Sequence, residues 1–126
     1  MKILFIINPK SGKGRDPQDI VHCIKLNFPQ ASWALTNGPR HATELAAKAV
    51  SQQYEAVVAV GGDGTINETA QALVNTPTAL GVIPSGSGNG FARELCMPLT
   101  PEEAVLRLQK AKTVRCDVGQ ANGELF

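Results

Sequence analysis

Glu55-Ala56-Val57-Val58-Ala59-Val60-Gly61-Gly62-Asp63-Gly64-Thr65-Ile66-Asn67-Glu68 reads as a buried strand that runs through a glycine turn into a helix. Glu55 to Val60 has strand length, and its apolar run Ala56 to Val60 is rich in β-branched valine. The glycines that follow can take backbone angles closed to other residues and can pass close to a bulky ligand. A helix opening at Thr65 would add its unpaired first-turn amides and the positive end of its dipole, a ready anion site. Asp63 stands inside this turn, and beside a polyphosphate it would be repelled unless a divalent cation bridged the two. Magnesium is the natural cation for that arrangement, held by one or two carboxylates plus phosphate oxygens. An ordinary strand-to-helix turn, with Thr65 and Glu68 as a capping box, accounts for the same residues without a ligand and is compatible with one. It gives no reason for a charge between glycines.

Working outward, apolar runs alternate with amphipathic stretches. Lys2 to Asn8 reads as a strand, Asp16 to Phe28 as a helix capped by Asp16 with Pro17 at its first position, and Ala31 to Thr36 as a second strand. His41 to Gln53 is helical by its alanines and spacing, and Thr65 to Asn75 is a helix that stops before Pro77. Ala79 to Ile83 is the next strand. Pro84 to Gly90 forms a glycine-rich loop leading to a short helix around Phe91 to Leu95; Thr100-Pro101-Glu102-Glu103 opens another helix to about Lys110, and Thr113 to Val118 is a last strand. Strands separated by helices of this length predict parallel βαβ units with right-handed crossovers. The fold class is therefore α/β, a three-layer domain with a mostly parallel sheet flanked by helices.

Composition sets the remaining bounds. At 126 residues, with 43% hydrophobic and 5% aromatic residues, the chain fits one domain with a largely aliphatic core. A formal charge of +1 gives no electrostatic reason to invoke nucleic acid. Cys23, Cys96 and Cys116 are odd in number and widely spaced, which argues against a disulfide framework or a zinc site and for reduced thiols in the cytoplasm. The apolar start is too short for a signal-peptide core, and no run approaches membrane-spanning length.

In a parallel sheet the loops at the carboxyl ends of the strands share one edge, and ligands bind there. Three loops on that edge suit phosphate: Asn8-Pro9-Lys10-Ser11-Gly12-Lys13-Gly14-Arg15, the GGDGT turn at Gly61 to Thr65, and Ser85-Gly86-Ser87-Gly88-Asn89-Gly90. Each alone is a weak signal; three together make a shared site the stronger reading. Common nucleotide signatures fail. Gly12-Lys13 is followed by Gly14 rather than serine or threonine, and a dinucleotide fingerprint after the first strand would need glycine where Pro17 stands.

With these pieces in place the chain resembles the diacylglycerol kinase catalytic domain family of bacterial lipid kinases and sphingosine kinases, itself distantly related to NAD kinases and phosphofructokinases. The resemblance rests on NPKSGKG at Asn8 to Gly14, TNGPRHATELA at Thr36 to Ala46, GGDGTINE at Gly61 to Glu68, PSGSGNGFAR at Pro84 to Arg93 and RCDVGQANGELF at Arg115 to Phe126. It implies an NAD kinase/phosphofructokinase-like fold and ATP-dependent phosphorylation of a lipid hydroxyl, diacylglycerol- or sphingoid-type, with Mg2+. It further implies that Asn8, Pro9, Lys10, Ser11 and Gly12 contact phosphates, that Thr36 lies near the nucleoside, and that Gly61, Gly62, Asp63, Gly64, Thr65, Ile66 and Asn67 wrap the phosphates. Ser87 falls where the family places a threonine or serine. Asp63 would organise the metal or receive the lipid hydroxyl proton, and Asp117 matches a second acidic position in a metal-linked network. A solvated charge on a strand face explains Asp117 equally well. His41 reads as a helix-start residue, having no carboxylate or cysteine at a catalytic spacing.

Many bacterial members carry Asn-Asp where this chain has Asn89-Gly90, so one acid of that network is absent. The family's linker to a larger β-rich domain falls near Phe126, so the expectation is an N-terminal nucleotide-binding domain, residues 1–126, with the lipid-binding half lying elsewhere and little turnover by this part alone. The expected partners are ATP and, through the second domain, a lipid substrate, with peripheral contact at a membrane left open and the oligomeric state unassigned. A non-catalytic nucleotide-binding module and an NAD kinase-like enzyme remain as alternatives.

Overall fold

The structure, a computed structural model, describes residues 2–10, 17–84, 120–121 and 124–125. Within them β1 (Ile3–Ile7), α1 (Pro17–Asn27), β2 (Ser32–Leu35), α2 (His41–Ser51), β3 (Ala56–Gly61), α3 (Asp63–Leu73) and β4 (Ala79–Pro84) alternate along the chain. The four strands form one parallel sheet in the order β2-β1-β3-β4. Two further pairs, β5 (Gln120–Ala121) and β6 (Glu124–Leu125), make a small antiparallel sheet, with β6 lying against α3. The sequence reading did not anticipate this second sheet. The elements expected between Ser85 and Val118, and the cap Asp16, fall outside the described residues.

The period of two along each strand sorts the core into two layers. Phe5 and Ile7 of β1, Val58 and Val60 of β3 and Ile83 of β4 face α1, whose Ile20, Val21 and Ile24 pack on them. Leu4, Ile6 and Val57 face the other way, against Ala42, Ala46 and Ala49 of α2 and Leu73 of α3. Ala59 and Val82 meet Ile66 of α3 on that same face. One helix on one face and two on the other make the expected three layers. Both faces of β3 are covered, which is why its sequence is continuously apolar rather than alternating.

Small side chains set the spacing of the second layer. The buried alanines of α2 recur at helical intervals and let its backbone sit close to the sheet and to α3. Thr43 Oγ1 donates to the Glu68 carbonyl at 2.7 Å, tying the two helices together. At the far end of α1, the Phe28 ring packs on Phe5 with centroids 5.4 Å apart.

The start of α3 and the end of α2 each differ from the sequence reading by two residues, for separate reasons. α3 begins at Asp63, two residues before the expected Thr65, and its cap residue is Gly62, in extended backbone with no side-chain capping bond. The Thr65 and Glu68 capping box does not form, because Thr65 is already inside the helix and its hydroxyl meets Asn8 instead. Asp63 is thus a first-turn residue rather than a charge suspended between loop glycines. There it complements the helix dipole, which gives it a structural reason the sequence reading lacked. α2 stops at Ser51, where Gln53 turns left-handed at φ 62°.

Candidate functional site

The chain order and the order of the described sheet disagree at one place, and the candidate site lies there. From β1 the chain crosses by α1 to β2 on one side, then returns by α2 to β3 on the other side of β1. The reversal leaves a crevice between the carboxyl ends of β1 and β3, the position favoured for ligands in open α/β sheets. The register aligns these ends: Ile7 pairs with both Leu35 and Val60, and Gly61 pairs with Pro84. Two bonds continue the alignment past the strands, Thr36 N–H to the Ile7 carbonyl at 2.8 Å and Asn8 N–H to the Val60 carbonyl at 3.0 Å. Thr36, Asn8 and Gly61 therefore stand side by side along one edge.

On the β1 side, Asn8 and Pro9 are half-buried and Lys10 is exposed. The Asn8 side chain faces both neighbours: Oδ1 accepts the Lys10 N–H at 2.9 Å and Nδ2 donates to Thr65 Oγ1 at 3.2 Å. On the β3 side, Gly61 is buried and cannot be replaced without displacement, since a Cβ there would lie 2.7 Å from Thr65 Oγ1 and 2.8 Å from Thr65 Cβ. Gly64 is the opposite case: it is exposed, and among the described residues an added Cβ would meet nothing within 4 Å. No described protein atom requires glycine at that position, where it forgoes the helix propensity that alanine would add, at most about 0.5–1 kcal/mol.

The first helical bond of α3 runs from Ile66 N–H to the Gly62 carbonyl at 3.1 Å, and among the described residues no side chain caps the turn. The Asp63, Gly64 and Thr65 amides precede that bond, so the helix start presents donors that no described side chain caps, along with its dipole. Ile66 is buried against Ala59 and Val82 with its amide engaged in the helix, so it serves the scaffold. Asn67 is half-buried one residue further on, while the Asp63 carboxylate is exposed at the first turn. Asp63 can share a magnesium ion with phosphate oxygens, which needs no further protein ligand. Among the described residues no group of three or more histidine, cysteine or acidic side chains could hold a metal by itself. Ser11, Gly12, Ser87 and Asp117 lie outside the described residues.

The loop after β2 holds a bond that spacing did not reveal. Gly38-Pro39-Arg40-His41 is a turn closed by His41 N–H on the Gly38 carbonyl at 3.3 Å, with Arg40 left-handed at φ 67° and ψ −7°. These angles are those of a type II turn with proline at its second position. His41 starts α2 as expected, and its Nδ1 also accepts the Asn37 N–H at 2.8 Å. In the neutral ring the proton therefore sits on Nε2.

Residues 2–121 match the family model described as the diacylglycerol kinase catalytic domain. The chain belongs to this family. It is 33% identical over 128 residues to the diacylglycerol kinase of Staphylococcus saprophyticus subsp. saprophyticus, covering 97% of this chain and 42% of that protein. It is 40% identical over 131 residues to the "Probable lipid kinase YegS-like" protein of Yersinia pestis (strain Pestoides F), covering 98% of this chain and 43% of the relative. The crystal structure of a diacylglycerol kinase from Bacillus anthracis str. Sterne superposes with a TM-score of 0.88 at 31% identity, over 99% of this chain and 45% of that one. A solution structure of a phosphate-loop protein, at 15% identity and TM-score 0.57, shares the fold alone. The chain thus spans less than half the length of the family relatives it matches. Among the described residues no helix is long and apolar enough to cross a membrane.

Proposed function

We propose that this member of the diacylglycerol kinase catalytic domain family is the nucleotide-binding part of an ATP-dependent lipid kinase, which passes the ATP γ-phosphate to a lipid hydroxyl of diacylglycerol or sphingoid type. The observation that carries the reading is Gly64: a glycine that no contact among the described residues demands, beside first-turn amides that no described side chain caps, at the crevice between β1 and β3. A phosphate approaching those amides demands it, because a Cβ would stand in its way. The names carried by the relatives favour a lipid acceptor over NAD.

In this reading the β1 loop, Asn8 to Gly12, and the α3 start, Gly61 to Asn67, hold the phosphates from two sides, Ser87 contributes a hydroxyl, and Thr36 lies toward the nucleoside. Asp63 and, at one remove, Asp117 hold Mg2+, which supplies charge neutralisation as the γ-phosphate is transferred. Asp63 can alternatively receive the proton of the lipid hydroxyl, since a carboxylate at that first turn is exposed. Residues 1–126 form the nucleotide half of a two-domain cleft, and phosphoryl transfer depends on positioning both reactants, so this half alone turns over little. The site works in the cytoplasm, in peripheral contact with the membrane that presents the lipid.

The test is phosphate transfer from radiolabelled ATP, with Mg2+, using the uninterrupted coding sequence and mixed micelles of diacylglycerol or of a sphingoid base, with NAD as the competing acceptor. Label in the lipid phase supports the proposal; label on NAD alone overturns it.

A further inference from the structure

The residue after β1 and the start of α3 meet through a side-chain bond between residues 57 positions apart, Asn8 Nδ2 to Thr65 Oγ1 at 3.2 Å. Asn8 cannot use its carboxamide in either orientation. Its oxygen end accepts the Lys10 N–H at 2.9 Å, and a flipped amide would set its NH2 against that N–H, donor against donor. With Oδ1 committed to Lys10, Nδ2 must face Thr65.

Thr65 is itself held firmly. It is the third residue of α3 and only 6% exposed. Its side chain is wedged against Gly61, where even one more carbon would fall within 2.7 Å of Oγ1. Its carbonyl accepts the hydroxyl of the fully buried Thr69 at 2.8 Å. A continuous path therefore runs from the buried body of α3 through the Thr65 hydroxyl and the Asn8 carboxamide to the Lys10 amide.

We infer that Thr65 is a positioning residue that acts through Asn8, fixing the Asn8 to Lys10 segment against the start of α3. The Lys10 N–H selects the carboxamide orientation and the Thr65 hydroxyl anchors its Nδ2 end, so Asn8 and the α3 start keep one spacing before any ligand arrives. Such preorganisation removes an ordering cost from binding. It also explains why Gly61 must lack a side chain: the latch occupies that space. The link to affinity rests on the nucleotide reading above, whereas the latch itself does not.

The experiment uses the 126-residue chain, labelled with 15N, as wild type, Thr65→Val, Thr65→Ser, Asn8→Ala and the Asn8→Ala/Thr65→Val double variant. Thr65→Val keeps the shape and removes the acceptor, while Thr65→Ser keeps the acceptor. In Thr65→Val the Asn8 side-chain NH2 signals should move and the Lys10 amide should lose exchange protection; in Thr65→Ser both should stay near wild type. ATP affinity should fall about five- to tenfold in Thr65→Val, the scale of one modest hydrogen bond, and the double variant should bind no more weakly than Asn8→Ala alone.

Unmoved Asn8 and Lys10 signals in Thr65→Val would overturn the inference. So would a double variant that loses both single-variant factors multiplied, since Thr65 would then touch the nucleotide independently of Asn8. A wild-type chain that shows the amide response but binds no ATP would refute the proposed function and leave the latch standing. If Thr65→Val does not fold, Thr65→Ala, smaller and also without the acceptor, reads the same signals.

Discussion

Gly64→Ala should uncouple stability from ligand binding, and the comparison with Gly61→Ala makes the outcome readable. At position 64 the new Cβ meets nothing within 4 Å among the described residues, and the residue is the second of α3. The substitution therefore adds helix propensity without strain, about 0.5–1 kcal/mol. For a domain of this size that raises the melting temperature by about 2–6 °C. At position 61 the Cβ would lie 2.7 Å from Thr65 Oγ1 and 2.8 Å from Thr65 Cβ. Overpacking of that kind costs about 1–3 kcal/mol, so Gly61→Ala should melt well below wild type. If phosphate approaches the α3 amides past Gly64, the methyl group blocks it, and ATP affinity should drop at least about tenfold, equivalent to about 1.4 kcal/mol. Thermal unfolding followed by circular dichroism and ATP titration by calorimetry measure the two effects on the same samples. A Gly64→Ala chain that is more stable and binds ATP as tightly as wild type would refute the ligand explanation for that glycine. A less stable one would refute the open geometry around it.

Asp63→Asn should weaken ATP binding about tenfold with Mg2+ present and leave it unchanged or tighter in chelator, because the carboxylate repels phosphate unless a cation bridges them; an equal loss in both titrations would contradict the metal role. Ala46→Leu should destabilise the fold by about 1–3 kcal/mol, since Ala46 is wholly buried between α2 and the sheet, and urea unfolding measures it. Arg40→Gly should stabilise the chain by about 0.5–1 kcal/mol, because Arg40 sits left-handed at φ 67° in a turn position that favours glycine; the same urea series checks the sign.

The strands and helices up to Pro84 were legible because their signals are local. Valine-rich runs, the alanine spacing of α2 and the proline at the start of α1 each act within a few residues. Their ends shifted by no more than two positions, and the α3 start is the shift that bears on the site. There a threonine and a glutamate at capping-box spacing suggested a helix start two residues too late, since Thr65 spends its hydroxyl on Asn8, a partner no local rule could name. Asp63 became a first-turn acid for the same reason, so its charge has a structural role as well as the proposed chemical one. That Asn8, Thr36 and Gly61 share one edge followed from the parallel topology, but which strands flank the crevice did not. That depended on the order β2-β1-β3-β4, a matter of how the crossovers pack. The bond from Asn37 N–H to the His41 ring was equally invisible, being set by a turn with an unusual arginine at its left-handed position.

The central claim is that the carboxyl ends of β1, β2 and β3 form one nucleotide site. Titrating ATP and Mg2+ into the 15N-labelled chain and mapping the amide shifts tests it directly. The account predicts saturable shifts centred on Asn8, Lys10, Thr36 and Gly61 to Thr65, with the amino-terminal ends of the same strands, Ile3, Ser32 and Ala56, unaffected. Shifts centred on those amino-terminal ends, or no saturable shift at millimolar ATP, would contradict it.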